Sequence, residues 1–256
     1  MPHLLIERLR EFPTLGSFTF PFNRKEYPTG AFVLEVLDII AGVLFVIGSI
    51  CFLPPYSDDI DVFLAGCGLF VVGGIFYLVV CACSFFEALF LKGLATLEAS
   101  ENALYLVGSW LFLVGTFLYW PAEAHYRHIE TFKDMTLGAY FNLFDPEFEG
   151  TLFFIIGSVM FAFGAFFNAL NQREFDEFTS KLLSAITSLY LGGSLLFAMG
   201  SVAFLPNMGC GKQMQILGAW GFIIGSVLYL IGGCLSLWRT TWITRHPELE
   251  VLKSGP

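Results

Sequence analysis

The amino-acid sequence predicts an all-α integral membrane protein with six transmembrane helices, arranged as three tandem two-helix hairpins in a pseudo-threefold bundle. Composition is the first observation behind this prediction. Of the 256 residues, 56% are hydrophobic and only 14% are charged, whereas a soluble domain carries about 25% charged residues. The second observation is a glycine–aromatic pattern that recurs along the chain. Lipid is therefore the solvent that fits most of this surface.

Six apolar segments alternate with polar or turn-forming stretches, at 33–53, 62–83, 103–120, 151–170, 182–205 and 216–238. Each is near the roughly 20 residues that a helix needs to cross about 30 Å of hydrocarbon. The alternating pattern of barrel strands is not visible, and helices satisfy their own backbone hydrogen bonds in lipid.

The segments divide the chain into five parts. These are an N-terminal segment 1–30, a first hairpin 31–91, a second hairpin 103–170 with an enlarged loop 121–150, a third hairpin 182–238 and a C-terminal tail 239–256.

The basic residues predict the orientation. With six spans, ten of the 13 Lys and Arg residues fall on the side of the two termini and three on the other side. The positive-inside rule therefore places both termini in the cytoplasm or its topological equivalent, in a membrane that the sequence does not specify. The net charge of −9 excludes a basic nucleic-acid-binding surface.

An internal repeat links the three hairpins. The first spans of the hairpins share six landmark positions without a gap, in Phe45–Pro54, Phe112–Pro121 and Phe197–Pro206. The second spans share a related pattern, in Gly66–Tyr77, Gly150–Phe161 and Gly218–Tyr229. Both patterns are forms of Phe-x-x-Gly-small-x-x-aromatic, and their shared register indicates duplication.

The glycines of this repeat predict where helices touch. Glycine lowers helix propensity by about 0.5–1 kcal/mol relative to alanine, so its frequency inside the spans needs another reason. Helix faces formed by small residues let membrane helices approach closely, and van der Waals packing then drives their association. The predicted packing positions are Gly48, Gly73, Gly115, Gly157, Gly200 and Gly225. The same faces are candidates for contact with a partner protein or a second copy of the chain.

The repeated signature resembles the YrhK-like membrane proteins. Its clearest copies are Phe45-Val46-Ile47-Gly48-Ser49 and Phe222-Ile223-Ile224-Gly225-Ser226. The resemblance implies a repeating unit of one two-helix hairpin, and covers 31–91 and 182–238 better than 103–170. It implies no reaction, substrate or catalytic residue.

The 121–150 loop contains residue types that bind metal ions: Glu123, His125, His128 and Glu130. The spacing of the two histidines allows them to share one helical face and bind Zn²⁺ or a similar ion. Solvated side chains in an acidic loop are the simpler interpretation, so no metal or other cofactor is predicted. Cys51 and Cys210 are predicted near the same membrane face, where an oxidising compartment would allow a disulfide.

Glu35 and Asp38 are the charged residues inside the predicted spans. Their spacing places them on one face of the first helix, and acids inside membrane spans are candidate functional groups. The alternative is that the helix begins in the headgroup region, where both acids are solvated.

No catalytic motif is recognisable in the sequence, so the expected function is a non-catalytic structural or accessory role in the membrane. A small-solute transporter or channel is the alternative, followed by a metal-dependent membrane enzyme that uses the 121–150 loop.

Overall fold

The computed structural model describes residues 28–94, 96–126, 146–171, 177–205 and 211–245, and it is helical through most of them. The long helices are α1 (Pro28–Cys51), α2 (Ile60–Lys92), α3 (Leu97–Tyr126), α4 (Pro146–Asn171), α5 (Glu177–Ala203) and α6 (Gly211–Arg245). A short 3-10 helix, Tyr56–Asp58, lies between α1 and α2. The described residues contain no strand, and the predicted all-α class is confirmed.

All six helices are long and apolar enough to cross a membrane. Their outward surfaces carry large hydrophobic side chains, among them Met199, Leu217 and Trp110, which are more than half exposed in the isolated chain. Such a surface is stable in lipid and unstable in water. The chain is therefore a multi-pass membrane protein, as predicted.

The six helices form a closed ring. Each helix packs against the helices before and after it in the chain, and α6 packs against α1. We call the end of the bundle where α1, α3 and α5 begin and α2, α4 and α6 end the proximal end, and the opposite end the distal end. The ring encloses a central axis that runs between them.

Glycines allow the two helices of each consecutive pair to approach closely. A Cβ atom on Gly48 would lie 3.1 Å from the carbonyl oxygen of Gly66, and one on Gly200 would lie 2.9 Å from that of Gly218. Gly115 approaches Gly150 equally closely, at 2.9 Å. The same register of backbone contact thus recurs in α1/α2, α3/α4 and α5/α6.

Aromatic rings fill the axis in layers. The central layer consists of Phe70, Phe154 and Phe222, whose ring centroids are 6.2–6.5 Å apart. Nearer the proximal end, Tyr77, Phe161 and Tyr229 form a second triangle with separations of 5.6–6.3 Å. We call this second triangle the floor layer. In each layer, one equivalent ring comes from each predicted hairpin.

The helices extend beyond the apolar segments that predict them. The segment 62–83 predicts a helix that the structure continues to Lys92, and 216–238 predicts one that runs from Gly211 to Arg245. α3 also continues to Tyr126 and α4 begins at Pro146, so the predicted loop 121–150 includes residues of both helices. Hydropathy marks only the part of a helix that lies in hydrocarbon, whereas backbone hydrogen bonding continues into the headgroup region.

The orientation of the bundle in the membrane is a prediction from the distribution of charge. We expect the N-terminus, the C-terminus and Arg173 to face the cytoplasm, and Asp58, His128 and Lys212 to face the other side. Single cysteines introduced at these positions can be labelled with a membrane-impermeant thiol reagent in intact cells. Labelling of both termini from outside would reverse the assignment.

Candidate functional site

A polar cavity lies on the bundle axis near the proximal end. Its volume is about 190 Å³. All six helices contribute to its wall, which contains acidic, hydroxyl, amide and tyrosine side chains. We call it the axial cavity. The lining residues are Leu34, Glu35, Asp38, Tyr77, Val80, Cys81, Ser84, Glu101, Asn102, Tyr105, Asn168, Leu183, Ile186, Thr187, Tyr190, Ser236 and Arg239.

The internal repeat accounts for the position of the axial cavity. Four sets of equivalent positions, aligned on the phenylalanines of the motif, all face the cavity. These sets are Leu34/Glu101/Ile186, Glu35/Asn102/Thr187, Asp38/Tyr105/Tyr190 and Ser84/Asn168/Ser236. Corresponding positions of the three helix pairs therefore meet around one axis, but the residue types differ. The site has repeated geometry with an asymmetric chemical lining.

The carboxyl groups of the cavity are held by neutral hydrogen-bond donors from other helices. Thr240 Oγ1 on α6 donates to Glu35 Oε1 over 3.0 Å. The Tyr190 hydroxyl on α5 donates to Asp38 Oδ2 over 3.0 Å. These contacts fix the two acids of α1 against the wall, so their position does not depend on α1 alone.

A second network joins α3, α4 and α5. Asn168 Nδ2 donates to Glu101 Oε1 over 2.6 Å, and Thr187 Oγ1 donates to Asn168 Oδ1 over 2.7 Å. Glu101 is 7% exposed. Because a buried carboxyl group is costly in a membrane span, this network indicates a specific arrangement of polar groups.

The floor layer separates the axial cavity from the distal half of the bundle. Ser194 Oγ and the Tyr229 hydroxyl are 2.6 Å apart, in a hydrogen bond that holds the ring of Tyr229 in place. Beyond the floor layer, two apolar voids of about 20 and 30 Å³ lie beside the phenylalanines. Each has room for only one or two water molecules. The axis is therefore closed between the cavity and the distal end.

The structure brings together both acids that the sequence singles out. Glu35 and Asp38 line the axial cavity, and Glu35 is 7% exposed. Glu35 is buried and Asp38 is half-buried inside the bundle, and the position of both acids relative to the headgroup region stays a prediction.

The six predicted packing glycines contact other helices of the same chain. Cβ atoms on Gly73, Gly157 and Gly225 would lie 3.0–3.2 Å from the nearest atom of the partner helix, and those on Gly48, Gly115 and Gly200 would lie nearer still. These small faces are in contact within the bundle. Contact with a protein partner or with a second copy of the chain stays a prediction.

The metal-binding hypothesis falls largely outside the described part of the chain. The backbone of Glu123 and His125 belongs to the end of α3, whereas His128 and Glu130 lie outside the described residues. Cys210, the predicted disulfide partner of Cys51, also lies outside them. Among the residues that the structure does describe, no group of three or more His, Cys, Asp or Glu side chains could hold a metal ion.

Sequence reasoning missed Glu101, Asn168 and Arg239 as members of the site. Glu101 and Arg239 lie just outside the apolar segments 103–120 and 216–238, so a search for charges inside the spans does not find them. Extending the repeat alignment towards the proximal end, by 11 residues from Phe112 and by seven residues from Phe161, would have aligned Glu101 with Leu34 and Asn168 with Ser84.

Comparison with protein families identifies two regions of the chain. Residues 31–89 and 181–241 match the family model described as YrhK-like protein. These two regions are similar to that family, and we call them the YrhK-like regions. The predicted resemblance is confirmed there, and the YrhK-like regions contain most of α1, α2, α5 and α6. No curated protein and no solved structure matches the chain.

The YrhK-like regions supply only part of the axial cavity. Glu35, Asp38, Tyr190 and Arg239 belong to them, whereas Glu101 and Asn168 lie in the middle pair of helices between them. A single YrhK-like hairpin therefore contains a fraction of this wall, and the complete cavity requires all three pairs.

Proposed function

We propose that the chain is a small-solute transporter that takes its solute into the axial cavity from the proximal end. The observation that carries the proposal is the convergence of equivalent positions from all three helix pairs on one polar cavity. Transport proteins built from parallel repeats hold their solutes at the interface between the repeats.

The free-energy cost of placing acidic side chains in the cavity lining supports a role in solute binding. Acids in membrane spans are expensive, and they typically mark solute or ion pathways. Apolar side chains would fill the same space at lower cost, as the phenylalanines do in the distal half. A cavity with a few convergent polar groups is the usual form of a binding site for a small molecule.

The closed axis determines the kind of transport that is proposed. The floor layer and the central layer block the path from the axial cavity to the distal end. A solute therefore crosses only when the helices move and the aromatic layers separate, so a carrier is favoured over an open channel.

A structural or accessory role is the second candidate. The close contacts at Gly48, Gly115 and Gly200 and the aromatic layers favour it, because they make the distal half a rigid packed unit. Neither proposal includes covalent chemistry. A metal-dependent enzyme built on the 121–150 loop is a third proposal without a described site.

Uptake into proteoliposomes tests the transporter proposal. We suggest three labelled probes of similar size and different charge: choline, isethionate and erythritol. Ser236→Trp places a large ring in the cavity wall, and Ser84→Trp does the same at the equivalent position of α2. Cys234→Trp is the matched control because Cys234 is exposed on the same helix.

We expect uptake of one probe by the wild type and by Cys234→Trp, with at least a tenfold loss in both variants of the cavity wall. Uptake that survives both tryptophans would show that the solute takes another path. An absence of uptake for all three probes would favour the structural role.

A further inference from the structure

We propose that the ligand of the axial cavity is a small organic ammonium cation, held between the acidic side chains of α1 and α3 and the tyrosine rings of the wall. This inference rests on the proposed function only in treating the cavity as a solute site.

The balance of charge in the wall favours a cation. Glu35, Asp38 and Glu101 place three carboxyl groups around the cavity, and Arg239 is the one basic side chain in its described lining. The described wall therefore has more acidic than basic side chains, and an acidic wall in a low-dielectric site favours a ligand with positive charge over an anion.

The arrangement of the acids disfavours a metal ion. They are distributed around the wall, with Glu35 and Asp38 on α1 and Glu101 on α3, and they form no described cluster of metal-ligand geometry. The cavity is also large for one ion. Its volume of about 190 Å³ exceeds the roughly 150 Å³ of an engineered cavity that accommodates benzene. A molecule of about seven non-hydrogen atoms therefore suits the space better.

Tyrosine rings provide the second element of ammonium recognition. Tyr77, Tyr105 and Tyr190 all line the cavity. Aromatic faces attract organic cations, and this attraction strengthens when the contact is removed from water. The hydroxyl of Tyr190 also donates to Asp38 Oδ2 over 3.0 Å, so one of these tyrosines and an acid belong to the same part of the wall. This combination distinguishes an organic ammonium ion from a neutral molecule of the same shape.

A comparison of isosteric probes tests this inference on the unmodified protein. Choline and 3,3-dimethylbutan-1-ol have the same shape, but a carbon atom replaces the charged nitrogen in the alcohol. Isethionate, Na⁺ and Mg²⁺ are the other probes. We expect choline to raise the melting temperature of the purified protein in a concentration-dependent manner. Equal stabilisation by the alcohol, or stabilisation by isethionate or Mg²⁺ alone, would overturn the inference.

Substitutions in the wall assign the binding to named groups. Asp38→Asn keeps the shape of the side chain and removes its charge, and we expect it to weaken choline binding by about 10- to 100-fold. Asp61→Asn is the matched control, since Asp61 is exposed near the distal end. Tyr105→Phe keeps the ring and should retain binding, whereas Tyr105→Leu should weaken it. Unchanged affinity in both Asp38→Asn and Tyr105→Leu would place choline elsewhere.

The two proposals can fail separately. Choline binding that Ser236→Trp abolishes, without any uptake, would support the ammonium site and contradict transport. Uptake of isethionate or erythritol through the cavity, without choline binding, would support transport and contradict the ammonium site.

Discussion

Replacing Phe70 by alanine is expected to destabilise the bundle by about 2–3 kcal/mol. Phe70 is 1% exposed, and its ring lies within 6.5 Å of the rings of Phe45, Phe52, Phe112, Phe154 and Phe222. In soluble cores this change costs about 3–5 kcal/mol. Lipid reduces the transfer contribution, so the new void and the lost ring contacts account for the remainder. Thermal unfolding in detergent should show a decrease of roughly 5–10 °C.

The control for Phe70→Ala is Phe86→Ala on the same helix. Phe86 is 41% exposed on the outer surface, so its removal should change the melting temperature by less than about 2 °C. An equal effect of the two substitutions would show that the ring of Phe70 does not contribute to a packed central layer.

Replacing Gly200 by leucine is expected to separate α5 from α6. A Cβ atom at this position would already lie 2.9 Å from the carbonyl oxygen of Gly218 and from Cδ1 of Phe222. One of these contacts is backbone, which cannot move aside as a flexible side chain can. Overpacking of this kind typically costs about 1–3 kcal/mol. The substitution should lower the melting temperature by several degrees, and Gly48→Leu, Gly115→Leu and Gly225→Leu should act in the same direction.

Ala185→Leu on α5 is the matched control for Gly200→Leu. Ala185 is exposed on the outer face of that helix, where lipid can accommodate a larger side chain. If leucine is tolerated equally at Gly200 and Ala185, the glycine faces do not hold the helices together.

The membrane fold is predictable from the sequence because its main cause is local. Apolar runs of sufficient length form helices in lipid wherever they occur. The ends of the helices are less predictable. The segment 33–53 corresponds to Pro28–Cys51, whereas 62–83 corresponds to Ile60–Lys92, since hydropathy does not report the helical turns beyond the hydrocarbon.

The candidate site was only partly predictable, because it depends on which positions face the axis. Glu35 and Asp38 are conspicuous in an apolar segment, so the sequence indicates them. Asn168 is uncharged, and Tyr105 and Tyr190 look like ordinary aromatic residues of a span. A repeat is recognised in a sequence by identical or similar residues. Asp38, Tyr105 and Tyr190 occupy equivalent positions of the cavity wall but differ in residue type. Their shared role becomes visible only when the three helix pairs surround one axis.

In the proposed transporter, the solute reaches the axial cavity from the proximal end, and the cavity is closed towards the distal end. Thiol labelling of Ser236→Cys tests this arrangement most directly, in a variant whose six native cysteines are replaced. We expect a small membrane-impermeant reagent to label this cysteine only from the side of the proximal end, and choline to slow the reaction. Labelling from the distal side, or no labelling from either side, would contradict this arrangement.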